Sequence, residues 1–353
     1  MRTPLLFLVS AATVLGQPTL MQQPVEVHGN RQTTNASGAV TISGYEHDPY
    51  YEAKTKKTLT AFHHNYSKAK FDENGELTNP SLAWYADGIL TIGTVDFVNG
   101  LKSDTIVFPG LILADVYRIL DGDRGAVLYR VQGKQQEEFL GIKPEGRNVD
   151  YLQAEGMKFD RNSLLEELQT TSALEVGRKQ LLGELPADEP AKDDLDRYVV
   201  YNPQTPLAFR NLAKQAATEI HENYNIGQNS KNRDLVACNV TVAIQGYAQN
   251  EGPEAFSDLV VHHTKSFSGL LYHDFNIVAE GRLVGVEWAW EGKHDGDYTA
   301  PNGTVIPATS RLVRNRGFYF FEFGLYNGLI EKVTAVWNEL LVEGQINGAP
   351  LLS

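Results

Sequence analysis

The chain has 353 residues, a net charge of −13 at neutral pH and one cysteine, Cys238. A chain of this length can bury a sizeable core, and it fits two domains more naturally than one. The acidic balance, with no basic cluster to offset it, excludes nucleic acid as an expected partner. The single cysteine excludes an intramolecular disulfide, so the fold must depend on its core.

Residues 1–16 have the pattern of a secretory signal peptide. Arg2 supplies one positive charge, and an apolar run follows from Leu5 to Leu15. This run is shorter than the roughly 20 residues that a membrane span requires. We therefore predict cleavage after Gly16 and a secreted, extracellular protein with no membrane partner. A buried N-terminal strand is the alternative.

Two blocks of similar length follow a polar arm at 17–50, whose composition is typical of an extended or partly disordered segment. We place the first domain at 51–185, an acidic linker at 186–204 and the second domain at 205–346. Each block opens with a helical segment, in which His63 and His221 take equivalent places 158 positions apart. Helices followed by several hairpin-connected strands predict an α+β fold of two tandem cone-shaped barrels, each a curved antiparallel sheet with N-terminal helices packed against it.

Four N-x-S/T sequons predict glycosylation at Asn35, Asn65, Asn239 and Asn302. The third lies in the strand-like segment LVACNVTVAIQGY (235–247). Strict alternation would place Asn239 on one face of this strand and Cys238 on the other. We therefore predict a glycosylated surface at Asn239 and a buried, unreactive thiol at Cys238.

Motifs in both blocks resemble the SnoaL-like polyketide cyclase family of the nuclear-transport-factor-2-like superfold. The first block contains FPGLILADVYRILDGDRGAVLYRVQGKQQEEFLGIKPEGRNV (108–149), and the second contains EGKHDGDYTAPNGTVIPAT (291–309). The resemblance covers roughly 75–183 and 255–345. It implies a cone-shaped barrel in each block and proton transfer beside a carbonyl, without a cofactor, in an apolar pocket.

The chain departs from the family at the end of the closing strand. SnoaL-like cyclases have an aspartate there, just after a tryptophan, as their acid/base. The second block has Trp337 and Asn338 in these places, and the first block has Thr171 or Ser172. Both copies therefore lack the family's carboxylate at this position.

His294 is the candidate proton-transfer group of the second domain. It matches the histidine of the family's hairpin, and strand alternation places it on the face that carries two tryptophans. A histidine at a hairpin end that bonds to Asp295 or Asp297 is the alternative. Asn338 is predicted to orient a substrate oxygen. A buried amide whose hydrogen bonds are satisfied within the protein is the alternative. The predicted ligand-binding side chains of this domain are Trp288, Trp290, Trp337 and His273.

Other histidines of the second block suggest weaker sites. His273 and Asp274 could form a dyad, but neighbours in a strand face opposite sides, which favours a surface position. We expect His262 and His263 to be solvated. The acidic stretches HDGDY and DGDRG lack the ligands of a calcium loop, so we predict no metal. The resemblance implies that no cofactor is needed.

In the first block, Asp87 is the candidate that could replace the missing carboxylate, although a turn before Gly88 explains it equally well. Tyr129 and Gln135 are predicted to bind the ligand, and Gln135 stands where the second block has His294. The remaining polar residues expected inside this cone are His63, His64, Tyr85 and Asp96.

Two functions remain open. The first is a cyclase, isomerase or dehydratase that acts on an aromatic or polyketide-like molecule. The second is a non-catalytic extracellular binding protein for a small hydrophobic ligand. Either is compatible with a homodimer formed through the outer faces of the sheets.

Overall fold

The computed structural model describes residues 48–190, 195–244, 249–300 and 303–351. The predicted signal peptide, nearly all of the predicted arm, Asn35 and Asn302 lie outside these residues. No helix within the described ranges is long and apolar enough to cross a membrane.

The first domain begins with a capped helix. Asp48 accepts a hydrogen bond from the backbone N–H of Tyr50 at 2.9 Å, and Pro49 occupies the first turn, where its missing N–H costs nothing. The elements of this domain are α1 (Pro49–Ser67), α2 (Phe71–Glu76), β1 (Thr78–Ala86), β2 (Ile89–Ile92), α3 (Thr94–Val107), β3 (Ile112–Asp121), β4 (Arg124–Lys134), β5 (Asn148–Phe159), β6 (Leu165–Ser172) and α4 (Leu174–Leu182).

The second domain repeats this order. A short 3-10 helix (Asn229–Leu235) follows its first helix. Its other elements are α5 (Leu207–Asn225), β7 (Val236–Ile244), β8 (Asn250–Glu251), α6 (Pro253–Val260), β9 (Phe267–Glu280), β10 (Leu283–His294), β11 (Tyr298–Thr299), β12 (Val305–Ile306), β13 (Leu312–Phe323), β14 (Ile330–Trp337) and α7 (Glu339–Ile346).

The two large sheets have the same topology. Their strand orders are β2-β1-β6-β5-β4-β3 and β8-β7-β14-β13-β10-β9. In each sheet one neighbouring pair is parallel, β1 with β6 and β7 with β14, and the other pairs are antiparallel. Helices pack against both sheets, for example α1 on β3 and α5 on β9. The predicted α+β class with two tandem cone-like domains is confirmed, and each sheet is mixed rather than purely antiparallel.

The prediction of a buried Cys238 is wrong. Cys238 and Asn239 are both exposed, although they are neighbours in β7. Val236 pairs with Ile330 and Thr241 pairs with Lys332, so five steps along β7 oppose two steps along β14. This bulge interrupts the alternation on which the prediction depended.

The outer faces of the two sheets pack on each other within the chain. Side chains of the second domain, among them Val278, Leu283 and Phe318, belong to the same apolar cluster as the first domain's core. Across this contact the Tyr117 hydroxyl donates to Glu322 at 2.5 Å. The face predicted to form a homodimer is therefore covered by the chain's other domain. Self-association through another surface stays a prediction.

The close approach of the sheets gives a first prediction. A Cβ added to Gly285 would lie 2.8 Å from the Cβ of Ala126 and 3.4 Å from Cγ2 of Val278. Gly285→Val should therefore lower the free energy of unfolding by about 1–3 kcal/mol, measured by urea denaturation. Gly344→Ala is the control, because a Cβ there meets no atom closer than 3.6 Å. An equal effect of both substitutions would contradict the tight packing of the two sheets.

Candidate functional site

A small cavity lies inside the first domain, between α1, α3 and strands β3 to β5. Its volume is about 20 Å³, which is room for roughly one water molecule. Its apolar lining comes from Phe62, Leu101, Leu111, Leu113 and Val131, and its polar lining comes from Tyr66, Asp104, Tyr129, Gln153 and Glu155.

A buried ion network lies against this cavity. His63 stands between two carboxylates: its Nδ1 is 2.5 Å from Asp115 Oδ1 and its Nε2 is 3.1 Å from Glu155 Oε2. Burial lowers the pKa of His63, but the two carboxylates outweigh burial and raise the pKa to about 9. At neutral pH the imidazole is therefore charged. Arg118 also binds Asp115 and supplies a second positive charge.

Two tyrosines each donate a hydrogen bond to a carboxylate at the cavity wall. The Tyr129 hydroxyl lies 2.7 Å from Glu155 Oε1, and the Tyr66 hydroxyl lies 3.0 Å from Asp104 Oδ2. Burial, and after it the neighbouring carboxylate, raises the pKa of both phenols well above the usual value. Both tyrosines thus remain protonated donors. Carboxylates and phenols in one apolar pocket are groups suited to general acid–base chemistry.

Tyr129, predicted to bind the ligand, lines this cavity, whereas Gln135 does not. The side chain of Gln135 is buried, and its Nε2 donates to the carbonyl of Ile142 at 2.8 Å, which holds the loop after β4. His64 and Tyr85 are half-buried, and Asp96 is exposed, so the expectation that Asp96 lies inside the cone is wrong.

Asp87 and Asn338 meet at the seam between the domains. Asp87 follows β1 in a turn with a φ of 46°, and its Oδ1 accepts from the backbone N–H of Ser172 at 3.1 Å and from Asn338 Nδ2 at 3.0 Å. Burial raises the pKa of Asp87 to about 6, and its Oδ2 has no hydrogen-bond partner among the described residues. Asn338 also caps α7 through the N–H of Leu340. The amide predicted to orient a substrate oxygen is thus engaged between domains, and a catalytic role for either residue stays a prediction.

The interior of the second domain is filled largely by aromatic rings. Trp288, Trp290 and Trp337 are all buried, and the ring centres of Trp288 and Trp337 are 6.2 Å apart. Tyr272 and Tyr319 pack against Trp288 at 5.6 and 5.3 Å. The indoles therefore line the inside of this domain, and ligand binding by them stays a prediction.

His294 is fully buried at the end of β10. Its Nδ1 lies 2.9 Å from the hydroxyl of Thr309, which takes the place of the predicted partners Asp295 and Asp297. Its Nε2 has no hydrogen-bond partner within the described part of the chain. Burial lowers its pKa, so the ring is neutral. Its assignment as the proton-transfer group stays a prediction.

The placement of His273 inside the ligand pocket is wrong. Its side chain is exposed, because alternation along β9 turns its neighbours Tyr272 and Asp274 inward. Asp274 instead binds His221, with 2.6 Å between Oδ1 and Nδ1.

The sequence reasoning missed that each domain has a histidine–aspartate pair between its first helix and its third strand. His63 with Asp115 is repeated as His221 with Asp274. The signal was present in the sequence, since the two histidines are 158 positions apart and the two aspartates are 159 apart.

The expectation that both His262 and His263 are solvated is also wrong. His263 is 3% exposed, and His262 is half-buried beside it. Both follow α6, whose turn directs them toward Trp337, with ring centres 5.5 and 5.6 Å from that indole.

No protein-family model and no curated protein matches the chain. Several solved structures match a part of the chain. A protein provisionally described as a SnoaL-like polyketide cyclase, from a Jannaschia species, is 18% identical, with a TM-score of 0.35, and the match covers 40% of this chain and 99% of that one. A provisionally described hydroxylase from Streptomyces galilaeus is 21% identical, with a TM-score of 0.34, and covers 38% and 99%. A provisionally described polyketide cyclase from Streptomyces antibioticus is 17% identical, with a TM-score of 0.34, and covers 36% and 98%. At these identities the likeness concerns the fold alone.

Proposed function

We propose that the first domain is a cofactor-free enzyme that moves a proton on a small aromatic or polyketide-like molecule, as a cyclase, isomerase or dehydratase does. The observation that carries this proposal is the pair of tyrosine-bonded carboxylates, Asp104 and Glu155, at the wall of one apolar cavity. His294, the proton-transfer group predicted from the sequence, lies in the second domain, whereas this proposal places the reactive groups in the first.

The hydrogen bonds suggest a different role for each carboxylate. Glu155 accepts from both His63 and Tyr129, and it positions the Tyr129 hydroxyl at the cavity wall. Asp104 is the group that takes a proton from carbon beside a carbonyl. Tyr129 then turns its O–H toward the substrate oxygen and stabilises the charge that develops there.

Deuterium exchange tests this function without knowledge of the final product. The protein is incubated in D2O with a panel of aromatic ketones and polyketide-like diketones, and NMR follows deuterium incorporation beside the carbonyl. Protein-dependent exchange in at least one compound supports the enzyme. If at least one compound binds and no compound exchanges faster than it does in buffer, the proposed activity is refuted.

The second candidate is a non-catalytic binding protein for a small hydrophobic ligand. The absence of the family's carboxylate from both copies favours it, since Asn338 follows Trp337 in the second block and Thr171 or Ser172 takes this place in the first. A compound that raises the melting temperature and shows no protein-dependent deuterium exchange would identify a binder.

An extracellular location is part of the proposal, supported by the signal-like N-terminus and by the exposed sequon at Asn239 in β7. In a eukaryotic secretory host, Asn239→Gln should remove the mass of one glycan from the secreted chain. Thr241→Ala should remove the same mass, because it destroys the same sequon. Unchanged masses in both variants would show that this site is not used.

A further inference from the structure

Two histidines and a glutamate meet at the inner end of the second domain. His262 and His263 follow α6, and Glu339 begins α7, with one residue between it and the end of β14. One ligand atom from each residue lies within 4.8 Å of the others. His262 Nε2 and Glu339 Oε1, in particular, are 3.8 Å apart.

These distances are close to those of a metal site. Tetrahedral zinc with bonds of about 2.0–2.1 Å separates neighbouring ligand atoms by about 3.3 Å. Shifts of roughly one ångström in the side chains would therefore close the site. Two imidazoles and one carboxylate are the three protein ligands of a common catalytic zinc arrangement, in which a fourth position stays open for water or substrate.

An independent observation also points to a ligand. His263 is 3% exposed, and its Nε2 has no hydrogen-bond partner among the residues that the structure describes. A buried ring nitrogen without a partner carries a desolvation cost, which a bound metal ion would remove.

The surroundings of Glu339 are those of an oriented metal ligand. The Trp337 indole N–H donates to its Oε1 at 2.6 Å, and the Tyr298 hydroxyl donates to its Oε2 at 2.5 Å. Such outer hydrogen bonds fix the direction of a ligating carboxylate. The Trp290 ring, 4.9 Å from His263, forms an apolar wall beside these residues.

We propose that His262, His263 and Glu339 bind one divalent transition-metal ion of the zinc class inside the second domain. This site is separate from the proposed proton-transfer site of the first domain. The prediction of no metal from the sequence considered only the acidic loops. The three residues of this site are brought together only in the folded chain, where the turn after α6 meets the start of α7.

The test is a titration of the tag-free, metal-stripped full chain with Co2+, followed by the absorption bands of the bound ion and by competition with Zn2+. The wild-type chain should bind one equivalent, and His263→Ala and His262→Ala should lose this binding. Trp337→Phe keeps all three ligands and removes one outer hydrogen bond, so it should weaken affinity about 10–100-fold. His273→Ala, at an exposed histidine of the same domain, should bind like the wild type.

Circular dichroism first establishes that each variant is folded. If His263→Ala does not fold, His262→Ala provides the test, because its position is only half-buried. Absence of stoichiometric Co2+ and Zn2+ binding in the wild type would overturn the proposal. Equal affinity of His262→Ala and His273→Ala would overturn it as well, because the ion would then be bound elsewhere.

Discussion

His63→Ala should lower the free energy of unfolding by about 3–5 kcal/mol, which is a large share of the 5–15 kcal/mol typical of a domain. The substitution leaves Asp115 and Glu155 buried without the imidazolium that lies between them. Urea denaturation followed by circular dichroism measures the loss.

His221→Ala is the matched control in the second domain. Its partner Asp274 has a side chain that is 12% exposed, so water can replace part of the lost hydrogen bond. We expect a smaller loss, about 1–3 kcal/mol. If His63→Ala lowers the free energy of unfolding no more than His221→Ala does, the prediction is wrong. The buried ion network would then stabilise its domain no more than one partly solvated pair does.

The stability difference between the wild type and His63→Ala should depend on pH. The direction of this dependence follows from the pKa shifts of His63 and Asp115. The pKa of His63 is raised from 6.5 to about 9, so its contribution is complete below pH 6.5 and is lost as the pH rises through 9. Burial raises the pKa of Asp115, but His63 and Arg118 outweigh burial and lower the pKa from 3.8. The contribution of Asp115 is therefore present above pH 3.8 and is lost in stronger acid. The stability difference between wild type and His63→Ala should therefore be largest between about pH 4 and 6.5. It should shrink by about 3 kcal/mol at pH values above 9.

Asp104→Asn should lower the rate of proton exchange about 10²–10⁴-fold, because it removes the group that accepts the proton. The amide keeps the size of the side chain. Tyr129→Phe should have a smaller effect, because it removes one donor and leaves both carboxylates. The measurement is the initial rate of deuterium incorporation in the compound that exchanges fastest.

His294→Ala is the control for this prediction. The side chain is buried in the other domain, so the exchange rate should be unchanged within a factor of about two. If His294→Ala abolishes exchange and Asp104→Asn does not, the reactive centre lies in the second domain and the assignment to the first is wrong.

The repeated order of helices and strands could be read from the sequence, because hydrophobic periodicity and turn residues are local signals. The inward position of Trp288 and Trp290 followed from the same alternation. Both features depend on neighbours in sequence. The fold was therefore largely predictable.

Features that depend on distant contacts could not be predicted in this way. The bulge in β7 reversed the expected burial of Cys238, and no local residue marks it. The bond between Asp87 and Asn338 joins positions 251 residues apart. Glu339 is next to Asn338, the position where the resemblance led us to expect a carboxylate. The role of Glu339 could not be predicted, because its burial depends on contacts with Trp337 and Tyr298.

A crystal structure of the chain with the compound that exchanges fastest tests the central claim most directly. We predict that the ligand lies in the first domain, with its activated carbon beside Asp104 and its carbonyl oxygen within hydrogen-bond distance of Tyr129. A ligand bound only among Trp288, Trp290 and Trp337 in the second domain would contradict this account.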